Sequence, residues 1–472
     1  MKFRAILYFT SLFIFPIGIL AFINILYSSY FDFFLNINSY VITLFLSIII
    51  GLFLFQIGKK SEKKINFFEQ ILLIILTYII VSFLISLPYY LSIYQLPLIN
   101  SIFESFSGVT LTGFTTLDNI KQFDPTLLLW RSSSQWIGGL YFFIFLIIIF
   151  SNKQLDFKLS NLTFLSDNIS KNQSNLKNII LKIFFTYVLI TSIIFIFFII
   201  SDIRLFDALN LTMSVASTGG FLSTNSLNQI IKNNTQELFL IFSMMIPFLN
   251  FFLFLNIFNK NNLFSKHKED IYLLFLILVF SLILLFTIDS LTIYEILISV
   301  ISSISNSGLT TTEVSKNISL YFLFLTLIGG SIVSLTSGIK FLRLYILLKT
   351  TSSEILKLVR PNIIANKNIL NSEKKINHIN INTSFLIFIS FFLSLFILSG
   401  ILVFDNINFE NSFKLSILTL TNTVNSDLFG IEKINFSNLL TSSKLSLIFF
   451  MIVGKIELLS ILLILKKYLF RN

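Results

Sequence analysis

Ten runs of apolar residues constrain this chain more than anything else in it. They lie at roughly 5–27, 38–57, 67–93, 126–150 and 179–201, then at roughly 236–258, 271–288, 318–350, 384–404 and 442–465. As helices they are long enough to cross about 30 Å of hydrocarbon, where a helix satisfies its own backbone polar groups. Hydrophobic residues make up 55% of the 472 residues and charged residues only 12%, against about 25% charged in a soluble domain. The chain therefore reads as an all-α integral membrane protein. The first run is too long for the apolar core of a signal peptide and has no small-residue cleavage site, so it counts as a membrane helix.

Ten crossings put both termini on one side, and the charges say which. Lys2, Arg4, the 59–64 run, the segments 151–178, 260–270 and 349–375, and the tail from Lys466 hold 22 Lys and Arg against 7 Asp and Glu. Loops on the other side hold 7 Lys and Arg against 13 Asp and Glu. Counting positive charge alone predicts cytoplasmic termini in a cell membrane. The net charge of +11 thus follows topology and is not a nucleic-acid footprint. The chain has no Cys and two His, His267 and His378, both in polar stretches, which excludes disulfides and thiolate metal sites and disfavours a histidine centre. The 58 Phe carry no functional weight.

Between the long runs a short pattern recurs. SGVTLTGFTT (107–116) centres on Gly113, ASTGGFLST (216–224) on Gly220 and SISNSGLTTT (303–312) on Gly308, while a degraded copy, TNTVNSD (421–427), centres on Asn425. Three positions before each centre stands Thr110, Ser217, Ser305 or Asn422, and thirteen before stands Asn100, Asp207, Glu295 or Ser412, residues suited to the first turn of a helix. Each copy reads as about three turns of helix followed by an extended Gly/Thr/Ser loop. The chain then divides into a two-helix preface (1–58) and four units of helix, short helix, loop and helix at 66–152, 178–259, 270–350 and 383–468. Loops at membrane depth are tolerated where they are buried or line a wet cavity, and four of them around one axis make such a cavity.

The composition of the loops suits a monovalent cation. Backbone carbonyls can replace an ion's hydration shell, glycine reaches the φ values that turn carbonyls inward, and a helix C-terminus aimed at the cavity adds partial negative charge. No carboxylate ring stands at the four centres. Charged residues in or beside the spans are costly and mark candidate functional positions: Glu104, Arg131, Lys340, Lys455 and Glu457. Glu69, Lys182 and Arg343 read more simply as residues near helix ends, the two basic ones snorkelling outward.

Taken together, FESFSGVTLTGFTT (103–116), WRSSSQWIGGL (130–140), FDALNLTMSVASTGGFLST (206–224), SISNSGLTTTE (303–313), LIGGSIVSLTSGIKFLRLYILLK (327–349), ILKLVRPN (355–362) and VGKIELL (453–459) resemble the Trk/Ktr/HKT potassium transporters, most closely the bacterial TrkH-like members. The resemblance covers nearly the whole chain, preface included. It implies a pseudo-fourfold pore within one chain, a homodimer in membrane lipid, and a cytoplasmic nucleotide-binding, TrkA-like regulatory subunit. Potassium is implied as the transported ion, with no organic cofactor. The filter would consist of Thr110, Leu111, Thr112 and Gly113, then Ser217, Thr218, Gly219 and Gly220, then Ser305, Asn306, Ser307 and Gly308, and last Asn422, Thr423, Val424 and Asn425. The family's intramembrane gate loop corresponds to Gly329–Gly338, with Gly329, Gly330, Ser331, Ser334 and Gly338, faced by Lys455 where relatives usually have arginine. The Gly, Ser and Thr content of that segment favours a helix break on physical grounds as well.

Asn425 departs from the family, which usually has glycine there. Asn tolerates positive φ best among non-glycine residues, so a left-handed Asn425 is expected, with Asp427 at the outer mouth. Three other readings compete with this one. A carrier of another fold would show two matched halves and not four quarters. A membrane-embedded enzyme would need clustered acidic or His residues at one membrane face. Sodium in place of potassium goes, in related plant transporters, with serine at the first filter glycine, where this chain has Gly113.

Overall fold

The computed structural model describes residues 2–61, 65–150, 176–256, 267–288, 290–311, 318–360, 368–371, 376–431 and 434–456. Outside them lie the 151–175 linker, the tail after Ile456 with Glu457 and Lys466, and part of the 355–362 motif. Helices α1 (Phe3–Tyr30) and α2 (Ile37–Gly58) form an antiparallel pair ahead of the rest. An order of long helix, short helix, loop and helix then occurs four times: α3 (Phe67–Tyr90), α4 (Leu98–Val109) and α5 (Pro125–Phe150); α6 (Leu176–Ile200), α7 (Leu205–Ser217) and α8 (Asn234–Met245) with α9 (Phe251–Asn256); α10 (Lys268–Thr287), α11 (Ile293–Ile304) and α12 (Ser319–Ile328) with α13 (Phe341–Val359); α14 (His378–Val403), α15 (Phe409–Leu420) and α16 (Thr441–Ile456). Among the described residues seven helices are long and apolar enough to span a membrane.

Three of the ten apolar runs are not single described helices. The 318–350 run breaks as expected, between Ile328 and Phe341. The 442–465 run is described only to Ile456. The 236–258 run, expected as one crossing, breaks at 246–250 between α8 and α9. Pro247 supplies the reason, since its ring removes an N–H and clashes with the preceding turn of a helix.

Local chemistry sets the starts of the helices. Thr292 and Glu295 form a reciprocal capping box on α11: Glu295 N–H donates to Thr292 Oγ1 at 3.3 Å, and Thr292 N–H donates to Glu295 Oε2 at 2.7 Å. Glu69 plays the same part on α3, accepting from Asn66 N–H at 2.8 Å and Lys2 N–H at 2.6 Å. Asn100, Asp207 and Glu295 each occupy the third position of their short helix, but the fourth short helix has Asn411 there and not Ser412.

α5 is mostly buried and packs on α1, α3, α4, α6 and α7. The long helices pass the C-terminal ends of the short ones at glycine. A β-carbon on Gly138 of α5 would overlap the Val109 carbonyl that ends α4, and one on Gly454 of α16 would overlap the Leu420 carbonyl that ends α15. Any larger residue would push a short helix off the central axis. Arg343, expected to snorkel, is instead buried at 3% exposure on α13, because the helix break turns that segment inward.

Candidate ion pathway

Each short helix ends in the same turn. Leu111, Thr218, Asn306 and Asn422 take left-handed φ values of 66°, 62°, 59° and 49°. The N–H one residue later donates back five positions in every loop: Thr112 to Ser107 O (2.9 Å), Gly219 to Ser214 O (2.9 Å), Ser307 to Ser302 O (3.1 Å) and Thr423 to Leu418 O (2.9 Å). This is the bonding of a helix C-terminal motif closed by a left-handed residue. Gly113, Gly220 and Gly308 follow with φ of 74°, 73° and 64°.

That bonding aligns the loops residue by residue and corrects the fourth. Counted from the helix ends, Thr421, not Asn422, stands with Thr110, Ser217 and Ser305, and Val424, not Asn425, stands at the glycine position, though without the glycines' positive φ. The hydroxyls agree: Thr110 Oγ1 lies 2.9 Å from Thr112 Oγ1, Thr421 Oγ1 lies 2.9 Å from Thr423 Oγ1, and Ser305 Oγ lies 3.2 Å from Ser307 Oγ. Asn425 is absent from the positive-φ residues, so the expected left-handed Asn425 is not found. The left-handed asparagine of loop 4 is Asn422, two residues before the glycine-equivalent position. Asp427 is exposed as expected, within a short turn (Asp427–Phe429) after the loop.

The loops touch in cyclic order. A β-carbon on Gly113 of loop 1 would overlap Gly219 O of loop 2, and one on Gly220 would lie 2.5 Å from Ser307 O of loop 3. One on Gly308 would lie 2.6 Å from Val424 O of loop 4. Asn306 Nδ2 donates to Thr423 Oγ1 at 3.0 Å, joining loops 3 and 4, and Asn422 Nδ2 donates to Thr112 Oγ1 at 2.9 Å, joining loops 4 and 1. Both asparagines also donate to the helix that follows their own loop, at Thr326 O and Met451 O. Four loops thus close a ring around one axis, and all four predicted groups of residues lie in or beside it.

Two of the charges singled out in the sequence brace this ring from behind. Arg131 Nε donates to Glu104 Oε1 at 2.9 Å, with both side chains within 1% of full burial. Glu104 also accepts from Thr115 Oγ1 (3.0 Å) and Thr116 N–H (2.8 Å) on the outer arm of loop 1. Arg131 reaches Leu222 O beyond loop 2 at 3.2 Å and lies over the Phe221 ring. Gln135, one turn along α5, adds a link that sequence reasoning missed: its Nε2 donates to Gly219 O at 2.6 Å and its Oε1 accepts from Phe221 N–H at 3.1 Å. It stood within the quoted WRSSSQWIGGL motif, but an uncharged amide gave no signal of its own.

Beneath the ring, the broken α12–α13 segment pairs with the broken α8–α9 segment. Ser331 N–H donates to Phe248 O (3.0 Å), Leu335 N–H to Pro247 O (3.3 Å), and Phe251 N–H to Val333 O (2.8 Å). Each break satisfies backbone groups the other leaves open, which is how irregular chain survives at membrane depth. Gly329 and Gly338 turn the segment at φ of 62° and 82°, and Gly330 N–H donates to Thr336 Oγ1. Two lysines hold it. Lys455 Nζ donates to Leu335 O at 2.7 Å and lies over the Phe142 ring, while Lys340 Nζ donates to Ser334 O (3.2 Å) and to the Thr336 carbonyl. Ser337 Oγ donates to Asn422 Oδ1 at 2.8 Å, so this segment contacts loop 4 directly.

A family model described as "TrkH: Cation transport protein" matches residues 36–307, more than half the chain, covering the first two loops and the third as far as Ser307. The chain belongs to the TrkH family of cation transport proteins. Among curated proteins it is 25% identical to an uncharacterized cation transporter of Methanocaldococcus jannaschii, over 86% of each chain. It is 23% identical to the Trk system potassium uptake protein TrkG of Escherichia coli, over 88% of each. The crystal structure of the potassium transporter TrkH from Vibrio parahaemolyticus has the same fold, with a TM-score of 0.87 at 20% identity over 98% of this chain and 99% of that one. The all-α, multi-pass membrane architecture read from the sequence is thereby established, and the family is one of transporters and not of enzymes.

Proposed function

We propose that the protein takes up potassium along the axis of the four-loop ring, with the Gly329–Gly338 segment as the gate below it. The observation that carries this reading is the closed cycle of contacts between loops whose backbones match from the helix end to the residue before the glycine position. Such a ring offers an ion oxygen ligands from four sides, the arrangement by which carbonyl filters replace hydration water. The C-terminal ends of α4, α7, α11 and α15 lead into it and add partial negative charge. The ion sites lie among Thr110–Gly113, Ser217–Gly220 and Ser305–Gly308, and among Thr421–Val424 in loop 4. In this reading the four units from 66–152 to 383–468 are repeats about one pore and both termini are cytoplasmic. The working assembly is a homodimer with a nucleotide-binding regulatory subunit on the cytoplasmic side.

Uptake of radioactive rubidium and sodium by the purified protein in liposomes, with and without a proton gradient, tests the reading. Rubidium uptake that potassium inhibits better than sodium is expected, and Gly113→Ser should lower that preference, because a side chain at φ 74° meets Gly219 O. Sodium uptake indifferent to potassium, with the Gly113→Ser ratio unchanged, would overturn it. Lys455→Ala, which frees Leu335 O, should raise basal uptake severalfold, since a hydrogen bond from a charged group contributes about 1.5–3 kcal/mol. Unchanged uptake in that variant would place the gate elsewhere.

A further inference from the structure

The glycine positions of the ring enclose a side chain. A β-carbon built on Gly113 and one built on Gly220 would both overlap the same atom, Val424 Cγ2. One on Gly308 would lie 2.9 Å from Val424 Cβ. A carbon–carbon single bond is about 1.5 Å, so the Cγ2 methyl is in van der Waals contact with the α-carbons of both Gly113 and Gly220. Given the cyclic order 1, 2, 3, 4, loop 2 stands opposite loop 4. A side chain from loop 4 that touches the glycine of loop 2 has crossed the axis. Three absent side chains make the space that this one isopropyl group fills.

Among the described residues loop 4 is also less restrained at this level than loops 1 and 2. Beyond its glycine, loop 1 is tied by Glu104 through Thr115 and Thr116. Loop 2 is tied by Gln135 at Phe221 N–H and by Asp207, which accepts from Ser223 Oγ at 2.7 Å. Among the described residues the side chains of Asn425 and Ser426 make no hydrogen bond, and the buried Ser426 Oγ is unpartnered. Val424, Asn425 and Ser426 are all partly exposed.

We infer that Val424 is a hydrophobic plug on the conduction axis, and that passage of an ion requires loop 4 to swing it aside. This rests on the ring being the ion path. An isopropyl group offers no oxygen to replace hydration water, and apolar constrictions close pores by excluding water. An ion at this level would meet a methyl on the axis. The plug therefore limits flux, and its size sets the limit.

Rubidium uptake into liposomes by Val424→Gly, Val424→Ala and Val424→Ile tests this beside the unaltered protein and Gly113→Ser. The plug predicts uptake rising in the order Ile, Val, Ala, Gly, with Val424→Gly faster by about tenfold or more, a barrier change of about 1.4 kcal/mol. Because the chain has no cysteine, Val424→Cys supplies a second measurement that needs no glycine at this site. Attaching a small cationic thiol reagent there should abolish uptake, and saturating potassium should slow the attachment. Val424→Gly uptake at or below that of the unaltered protein, with Gly113→Ser still changing the rubidium-to-sodium ratio, would overturn the plug and keep the ring. Complete labelling of Val424→Cys without loss of uptake would do the same. No change in any of these variants, Gly113→Ser included, would overturn the ring and the plug together.

Discussion

Loop 1 and loop 4 start alike and end differently. Both leave a short helix through a left-handed residue, Leu111 or Asn422, and both return an N–H five positions back. Both place paired threonine hydroxyls 2.9 Å apart. Loop 1 then continues through glycine at positive φ and is anchored by a buried ion pair. Loop 4 continues through valine, outside the positive-φ region, with its side chain across the axis and with no such anchor. The difference teaches that the helix ends fix where the loops stand, while the residue after the turn decides what the axis contains. One ring can therefore hold three permissive loops and one obstructive loop without losing its closure.

The largest expected effect separates the two anchors. Arg131→Ala leaves Glu104 buried without its charge partner, a change that costs about 3–5 kcal/mol in comparable pairs. Behind loop 4, Lys414 Nζ on α15 donates to Gly430 O at 3.2 Å and pairs with Glu410, whose side chain is 75% exposed. Lys414→Met strands no buried charge and should cost about 1 kcal/mol. Thermal unfolding of the detergent-solubilised variants compares them, and equal losses would erase the distinction between braced and unbraced loops.

A smaller effect tests the alignment. Asn422→Ala and Asn306→Ala remove the same kind of inter-loop stitch together with a bond to the following helix, and each should lower stability by about 1–3 kcal/mol. Loss at Asn306 alone would mean that loop 4 does not share the register of loop 3. The smallest effect is at Asn425. With no left-handed backbone to strain and no side-chain bond to lose, Asn425→Val should fall within about 0.5 kcal/mol of the parent protein. A large loss there would restore the glycine-like role that spacing suggested.

Much of this was legible in the sequence. Three loops were placed by their glycines, and the break at Gly329–Gly338 by its small residues. Lys455 stands out as a charge inside an apolar run. The fourth loop was misaligned by one residue because nothing in TNTVNSD anchors it. Asn411 and Ser412 are equally polar, as are Thr421 and Asn422, so a shift of one leaves every spacing plausible. The backbone bond from Thr423 to Leu418 and the left-handed φ of Asn422 distinguish the two. Asn425 also attracted a glycine-like reading because asparagine tolerates positive φ, although the turn uses that property at Asn422. The break at Pro247 was visible but lay inside an otherwise uninterrupted apolar run. The Glu104–Arg131 pairing joins residues 27 apart on different helices, which no local pattern reports.

The central claim is that an ion lies on the axis of this ring. Diffraction from crystals of the protein grown or soaked with thallium, a heavy stand-in for potassium, tests it most directly. An anomalous peak is expected on the axis, on the inner side of Val424 at the level of Thr110, Ser217, Ser305 and Thr421. A thallium peak elsewhere in the membrane region with none inside the ring, in protein that transports rubidium in liposomes, would contradict it.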